Sequence, residues 1–143
     1  MVLKRVIPTL LLRNASLIKT VNFEKFNYIG DPVNTVRIFN ELEVDELCFL
    51  DISSTLQNRD PNYKVLSEIA DECFMPLSYG GGIKNLEQVK KIFGLGFEKI
   101  IINTAATINS KLIPEIVNLF GSQSIVGSID VKKTLFGSKR VFT

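Results

Sequence analysis

The chain has 143 residues, 45% of them hydrophobic and 22% charged, with a formal net charge of +2. That is the length of one domain with enough apolar sequence for a packed core, which excludes a disordered segment. Charges are spread without a run of five like signs, so neither nucleic acid nor an acidic membrane is an expected partner. The chain contains no histidine, which excludes a Ser-His-Asp triad, a Cys-His pair and most zinc sites.

Any acid or base must therefore be Asp, Glu, Lys, Tyr or Cys, and nothing in the pattern calls for a metal or cofactor. Cys48 and Cys73 each sit in an apolar stretch and read as small core residues in a reducing compartment rather than as a disulfide. The N-terminal residues lack a signal-peptide core, and no apolar run approaches the length of a membrane span. The expected location is the cytoplasm.

In chain order, Arg5 to Leu12 is continuously apolar after its first residue, as expected of a strand covered on both faces. Arg13 to Gly30 is polar and aromatic, with Lys19, Asn22, Phe23, Phe26 and Tyr28, and its length suggests a functional loop. Asp31-Pro32 supplies an N-cap and first turn for a helix reaching Leu42. Glu46 to Ser53 reads as a second buried strand, and a helix follows from about Tyr63 to Cys73. The third strand runs through Pro76-Leu77-Ser78-Tyr79 into Gly80-Gly81-Gly82, and Asn85 is a plausible N-cap for the helix that follows, with apolar residues at 86, 89, 92 and 93. Lys99 to Thr104 is a β-branched fourth strand. A fourth helix covers about Lys111 to Phe120 and closes at Gly121. Ser124 to Val131 reads as a fifth strand ending in an aspartate, and the remainder as a loop or hairpin around Gly137.

Apolar strands alternating with amphipathic helices predict a parallel sheet with helices outside it. An open doubly wound sheet and a (β/α)8 barrel of the TIM type both fit that order. The barrel is favoured, because Asp51, Gly80 to Gly82, Asn103-Thr104 and Asp130 all fall at strand C-terminal ends, where barrel sites are built. Four and a half units cannot close eight strands, so residues 1–143 are expected to be a single N-terminal half-barrel, (β/α)4 plus a fifth strand, from a barrel of about 250 residues. The glycine turn between a strand and a helix start is an expected anion site, because free amides and the helix dipole both face its occupant.

The blocks Lys4-Arg5-Val6-Ile7-Pro8, Gly30-Asp31-Pro32-Val33, Phe49-Leu50-Asp51-Ile52, Gly80-Gly81-Gly82-Ile83, Ile102-Asn103-Thr104-Ala105-Ala106, Phe120-Gly121-Ser122-Gln123 and Ile129-Asp130-Val131-Lys132 resemble the cyclase subunit of imidazole glycerol phosphate synthase. That family is a barrel using ammonia delivered by a glutaminase partner. The resemblance implies that Gly81, Gly82, Asn103 and Thr104 bind one phosphate of a phosphorylated small-molecule substrate, that Asp130 is a catalytic carboxylate, and that Lys19 lies on a mobile loop closing over substrate. It also implies that Arg5, Glu46 and Lys99 form a charged ammonia gate at the N-terminal face, with Asp45 and Glu98 facing the glutaminase. Mixed signs on three neighbouring strands suggest a mutual salt-bridge cluster. For Asp51 a structural role as a loop cap is the preferred reading.

One departure bears on chemistry. Where the family has Cys-Leu-Asp at the end of the first strand, this chain has Thr9-Leu10-Leu11, and leucine cannot transfer a proton. The resemblance then implies a paralogue supplying ammonia for amidination of a sugar in surface polysaccharide synthesis. A histidine-biosynthetic cyclase and a non-catalytic ammonia conduit or scaffold stand as alternatives. A half-barrel also has open apolar edges, which predict self-association.

Overall fold

A computed structural model of the chain describes residues 4–21, 24–133, 137 and 139–142. A seven-stranded sheet carries the fold, in the order β3-β2-β1-β4-β5-β6-β7. Its parallel part comprises β1 (Thr9–Arg13), β4 (Leu47–Asp51), β5 (Leu77–Gly80), β6 (Lys99–Ile102) and β7 (Ile125–Gly127). Each of these strands lies beside the one before it, with none of the order reversal that defines a doubly wound sheet. The helices α1 (Pro32–Glu41), α2 (Tyr63–Glu72), α3 (Leu86–Gly94) and α5 (Leu112–Phe120) connect them. This is an open half of a (β/α)8 barrel, with β3 and β7 as its edges.

Strand alternation and register sort the side chains into two faces. Leu47, Phe49, Leu77, Tyr79, Ile100 and Ile102 point one way and are buried against Val36, Leu66, Ile69, Val89, Ile92, Leu112 and Ile116 of the helices. The other face, which a closed barrel would turn inward, is layered. Thr9, Cys48, Ser78 and Lys99 lie in register in one row, and Leu11, Leu50, Gly80, Ile101 and Val126 in the next.

Local chemistry sets the helix starts. Asp31 Oδ1 accepts from Asn34 N at 3.0 Å ahead of Pro32, and Asn62 caps α2 through Val65 N. Asn85 and Gln88 form a reciprocal capping box on α3. Gly121, at φ 85°, ends α5.

Three expectations need correction. The stretch after Arg13 is not a loop: β2 (Ser16–Val21) and β3 (Lys25–Gly30) form an antiparallel extension of the sheet. Asn14 and Ala15, at φ 49° and 66°, make the two-residue turn whose twist suits a hairpin. Asn22 and Phe23 lie outside the described residues. The fifth strand stops at Gly127, since Ile102, the last residue of β6, is already its partner. Asp130 instead opens a separate hairpin of β8 (Asp130–Lys133) and β9 (Lys139–Phe142). The fourth strand ends at Ile102, and Thr104 instead opens a short helix, α4 (Thr104–Ile108). No helix of the described residues is long and apolar enough to cross a membrane.

Candidate functional site

The C-terminal ends of β4, β5 and β6 bring together the glycine turn, the loop after β4 and the Asn103–Asp130 pair. Gly81 and Gly82 have φ of +117° and +69°, a region that favours glycine. Space is equally restrictive: a Cβ on Gly81 would meet the Asp51 carbonyl oxygen at 2.3 Å, and one on Gly82 would meet Ser54 Cβ at 2.8 Å and Arg59 O at 2.9 Å. Gly82 N donates to Thr55 Oγ1 at 3.2 Å. The first turn of α3 is closed by its own side chains, with Gln88 Oε1 accepting from Lys84 N and Asn85 N, and Asn85 Oδ1 from Gln88 N. The amide at Gly82, rather than this capped turn, is therefore the donor facing the loop.

Asp51 belongs to the scaffold. It shares a face with Leu12 and Phe49, and its buried carboxylate accepts four hydrogen bonds of 2.6–2.9 Å from the backbone amides and hydroxyls of Ser53 and Ser54. Beneath it Tyr79 is 1% exposed, its ring edge-on to Phe97 and its hydroxyl without a well-formed hydrogen bond among the described residues. Burial first, then the Asp51 carboxylate, push the Tyr79 pKa far above the ordinary tyrosine range, so this phenol stays protonated.

Asp130 is exposed, and its Oδ2 accepts from Asn103 Nδ2 at 2.9 Å. Sequence reasoning named both residues without anticipating that pairing. Thr104, at the start of α4, is half-buried beside them. Lys19 occupies an exposed position of β2 opposite Asn27 and makes no ion pair among the described residues. Leu11 sits in the apolar row between Leu50 and Ile18.

At the opposite end, the expected charge cluster is formed. Glu46 is 3% exposed, its Oε2 lying 2.6 Å from Lys99 Nζ and 3.9 Å from an Arg5 guanidinium nitrogen. The Lys99 contact dominates: it is short and largely shielded, whereas the Arg5 side chain is mostly in solvent, where such pairs contribute about 1 kcal/mol or less. Asp45 and Glu98 stand exposed beside this cluster. Burial raises the Cys48 thiol pKa above its ordinary value, so Cys48 packs as a neutral side chain. Both cysteines are free thiols.

A sequence-family model described as histidine biosynthesis protein matches residues 5–143. The chain is 56% identical over all 143 residues to a protein of Pseudomonas aeruginosa provisionally named imidazole glycerol phosphate synthase subunit hisF2. It is 53% identical over 131 residues (92% of this chain) to a protein of Leptospira interrogans provisionally named as a HisF subunit of that synthase, and 50% identical over 139 residues (97%) to one of Vibrio vulnificus provisionally named hisF3. These alignments span 57%, 52% and 54% of the three relatives, so the chain spans about half the length of the curated relatives it matches.

Proposed function

The chain belongs to the histidine biosynthesis protein family, and from that premise we propose that it is the N-terminal half of an ammonia-using cyclase-type subunit of an imidazole glycerol phosphate synthase. Its partner in this reading is a glutaminase docked at the N-terminal end of the sheet, against Asp45 and Glu98. Ammonia then enters past Arg5, Glu46 and Lys99. At the other end the Gly81–Gly82 backbone, Asn103 and Thr104 hold one phosphate of the substrate, which takes the Gly82 amide from Thr55. Asp130 transfers a proton, and Lys19 closes over the reacting atoms.

Within this reading the natural ammonia acceptor is a sugar of surface polysaccharide synthesis rather than the histidine precursor. The observation that carries it is Leu11. A residue flanked by Leu50 and Ile18 on the inward-facing row occupies the place where the resemblance puts a second acid–base group, while the Glu46–Lys99 pair is intact. Loss of one member of an acid–base pair costs about 10²–10⁴-fold in rate. A histidine-biosynthetic cyclase is the second reading, and it draws on the same Asn103 and Asp130.

Complementation of a histidine auxotroph by the full-length protein separates the two: failure is expected here, and growth would transfer the assignment to the histidine pathway. Titration of a ribose bisphosphate analogue, with Gly82→Trp as control, tests the phosphate site, and binding that survives the control would remove it. Glutaminase activation without consumption of any phosphorylated substrate would instead mark a conduit or scaffold. The half-barrel itself is expected to self-associate through its open strand edges, which are β3 and β7 because β2 covers the first strand, and a monodisperse monomer in sedimentation would count against that.

A further inference from the structure

Arg59 is a long side chain that reaches from the loop after β4 to the β1–β2 turn. Its Nη2 donates to Asn14 Oδ1 at 3.3 Å and to Ser53 Oγ at 2.9 Å, and its Nε donates to Gln57 Oε1 at 2.7 Å. Ser53 Oγ in turn donates to Asp51 Oδ1 at 2.8 Å. A continuous chain, Asn14–Arg59–Ser53–Asp51, thus runs from the hairpin turn to a buried carboxylate fixed by four donors. None of the acceptors of Arg59 is charged, so what holds it is the direction of its planar fork, a geometry an ammonium cannot reproduce.

Leu17 and Ile18 anchor β2 in the core, but the rest of the hairpin is sparsely attached. Only Leu11 to Arg13 of β1 pair with β2, and β3 is exposed along Lys25–Ile29. The other described side-chain clasp on this extension is Arg13, whose guanidinium carbon lies 3.9 Å from the Phe26 ring centroid. Lys19 lies beyond the paired part of β1 and so follows whatever direction the turn imposes.

We propose that Arg59 is a positioning residue, latching the β1–β2 turn to the Asp51 cage and so fixing the direction in which β2 carries Lys19. The role of Lys19 rests on the cyclase-type reading above; the latch does not. The test is backbone hydrogen exchange on this chain, comparing Arg59→Met, Arg59→Lys and Asn14→Gly with the parent. Glycine keeps the left-handed turn while removing the acceptor. Exchange in Leu17 to Thr20 should quicken by about tenfold in all three variants, that of Leu77–Tyr79 and Ile100–Ile102 should not change, and Arg59→Met with Asn14→Gly should be no faster than either alone. Unchanged exchange in the hairpin, uniform acceleration throughout, or full rescue by lysine would each overturn the latch. In the full-length protein, Arg59→Met should lower kcat while leaving KM for the phosphorylated substrate within about twofold. A full-length parent with no turnover would remove the cyclase-type reading and leave the exchange result to decide the latch.

Discussion

The two ends of the sheet are finished to different degrees. At the N-terminal end a buried carboxylate meets a lysine at 2.6 Å, complete within residues at the starts of β4 and β6. At the C-terminal end the polar groups satisfy one another for the present, Gly82 with Thr55 and Asn103 with Asp130, and every one of those bonds can be exchanged for a ligand. A preformed pair is what a fixed passage or docking surface needs; replaceable contacts are what a binding site needs. Several substitutions would break or sharpen that contrast.

The largest effect is expected for Gly81→Val, which combines a forbidden φ with a 2.3 Å approach to the Asp51 carbonyl. Chemical denaturation should report a loss of roughly 3–5 kcal/mol, and a loss below about 1 kcal/mol would mean that the glycine turn is far more pliable than its geometry implies. Lys99→Met should come next, at roughly 2–3 kcal/mol, since it strands Glu46 in a site 3% exposed. The figure is kept below the full range because Lys99 itself is 26% exposed. Arg5→Ala, measured alongside, should cost less than about 1 kcal/mol, and equal losses would show that the two cations share Glu46 evenly.

Tyr79→Phe should be neutral or stabilising by up to about 1 kcal/mol, because it deletes a buried hydroxyl that makes no well-formed hydrogen bond among the described residues. A clear loss would reveal a polar role for the phenol. The smallest effect belongs to the exposed Arg37–Glu72 pair, which joins α1 to α2 at 2.8 Å. The hydrogen bond from Arg37 lowers the Glu72 pKa below 4.5, so this contribution is fully present above that value and is lost as pH falls through the lower folded-state value. Thermal melts of Glu72→Gln and the parent should therefore differ slightly at neutral pH and converge in acid; a gap that widens in acid would reverse the sign.

Much of the frame was legible because parallel strands and capped helices announce themselves. Asp31-Pro32 and Asn85 start the helices they were expected to start, and the unbroken apolar runs before Asp51 and through Ile100–Ile102 became central strands. The hairpin after Arg13 was hidden because its turn is Asn-Ala rather than Asn-Gly, and its outer strand mixes aromatic and polar residues on two exposed faces. The alternating stretch past Gly127 was misleading for a different reason: whether it continues as a strand depends on where β6 ends, which is decided elsewhere in the chain. The cage around Asp51 carried a local signal, an aspartate followed by Ser53 and Ser54 in turn-forming spacing. The reach of Arg59 to Asn14, 45 positions apart, carried none, since long polar contacts leave no periodicity to read.

The sequential order of the parallel strands also bears on how the chain folds. Each new parallel strand docks on an edge made by the preceding unit, so the search at every step is confined to the connection between neighbouring strands and never spans the whole chain. Loop-closure entropy is then met in small instalments. Folding should proceed as growth from a nucleus, with strand-by-strand kinetics in which β4 and β5, flanked on both sides, gain protection before the rim formed by β7.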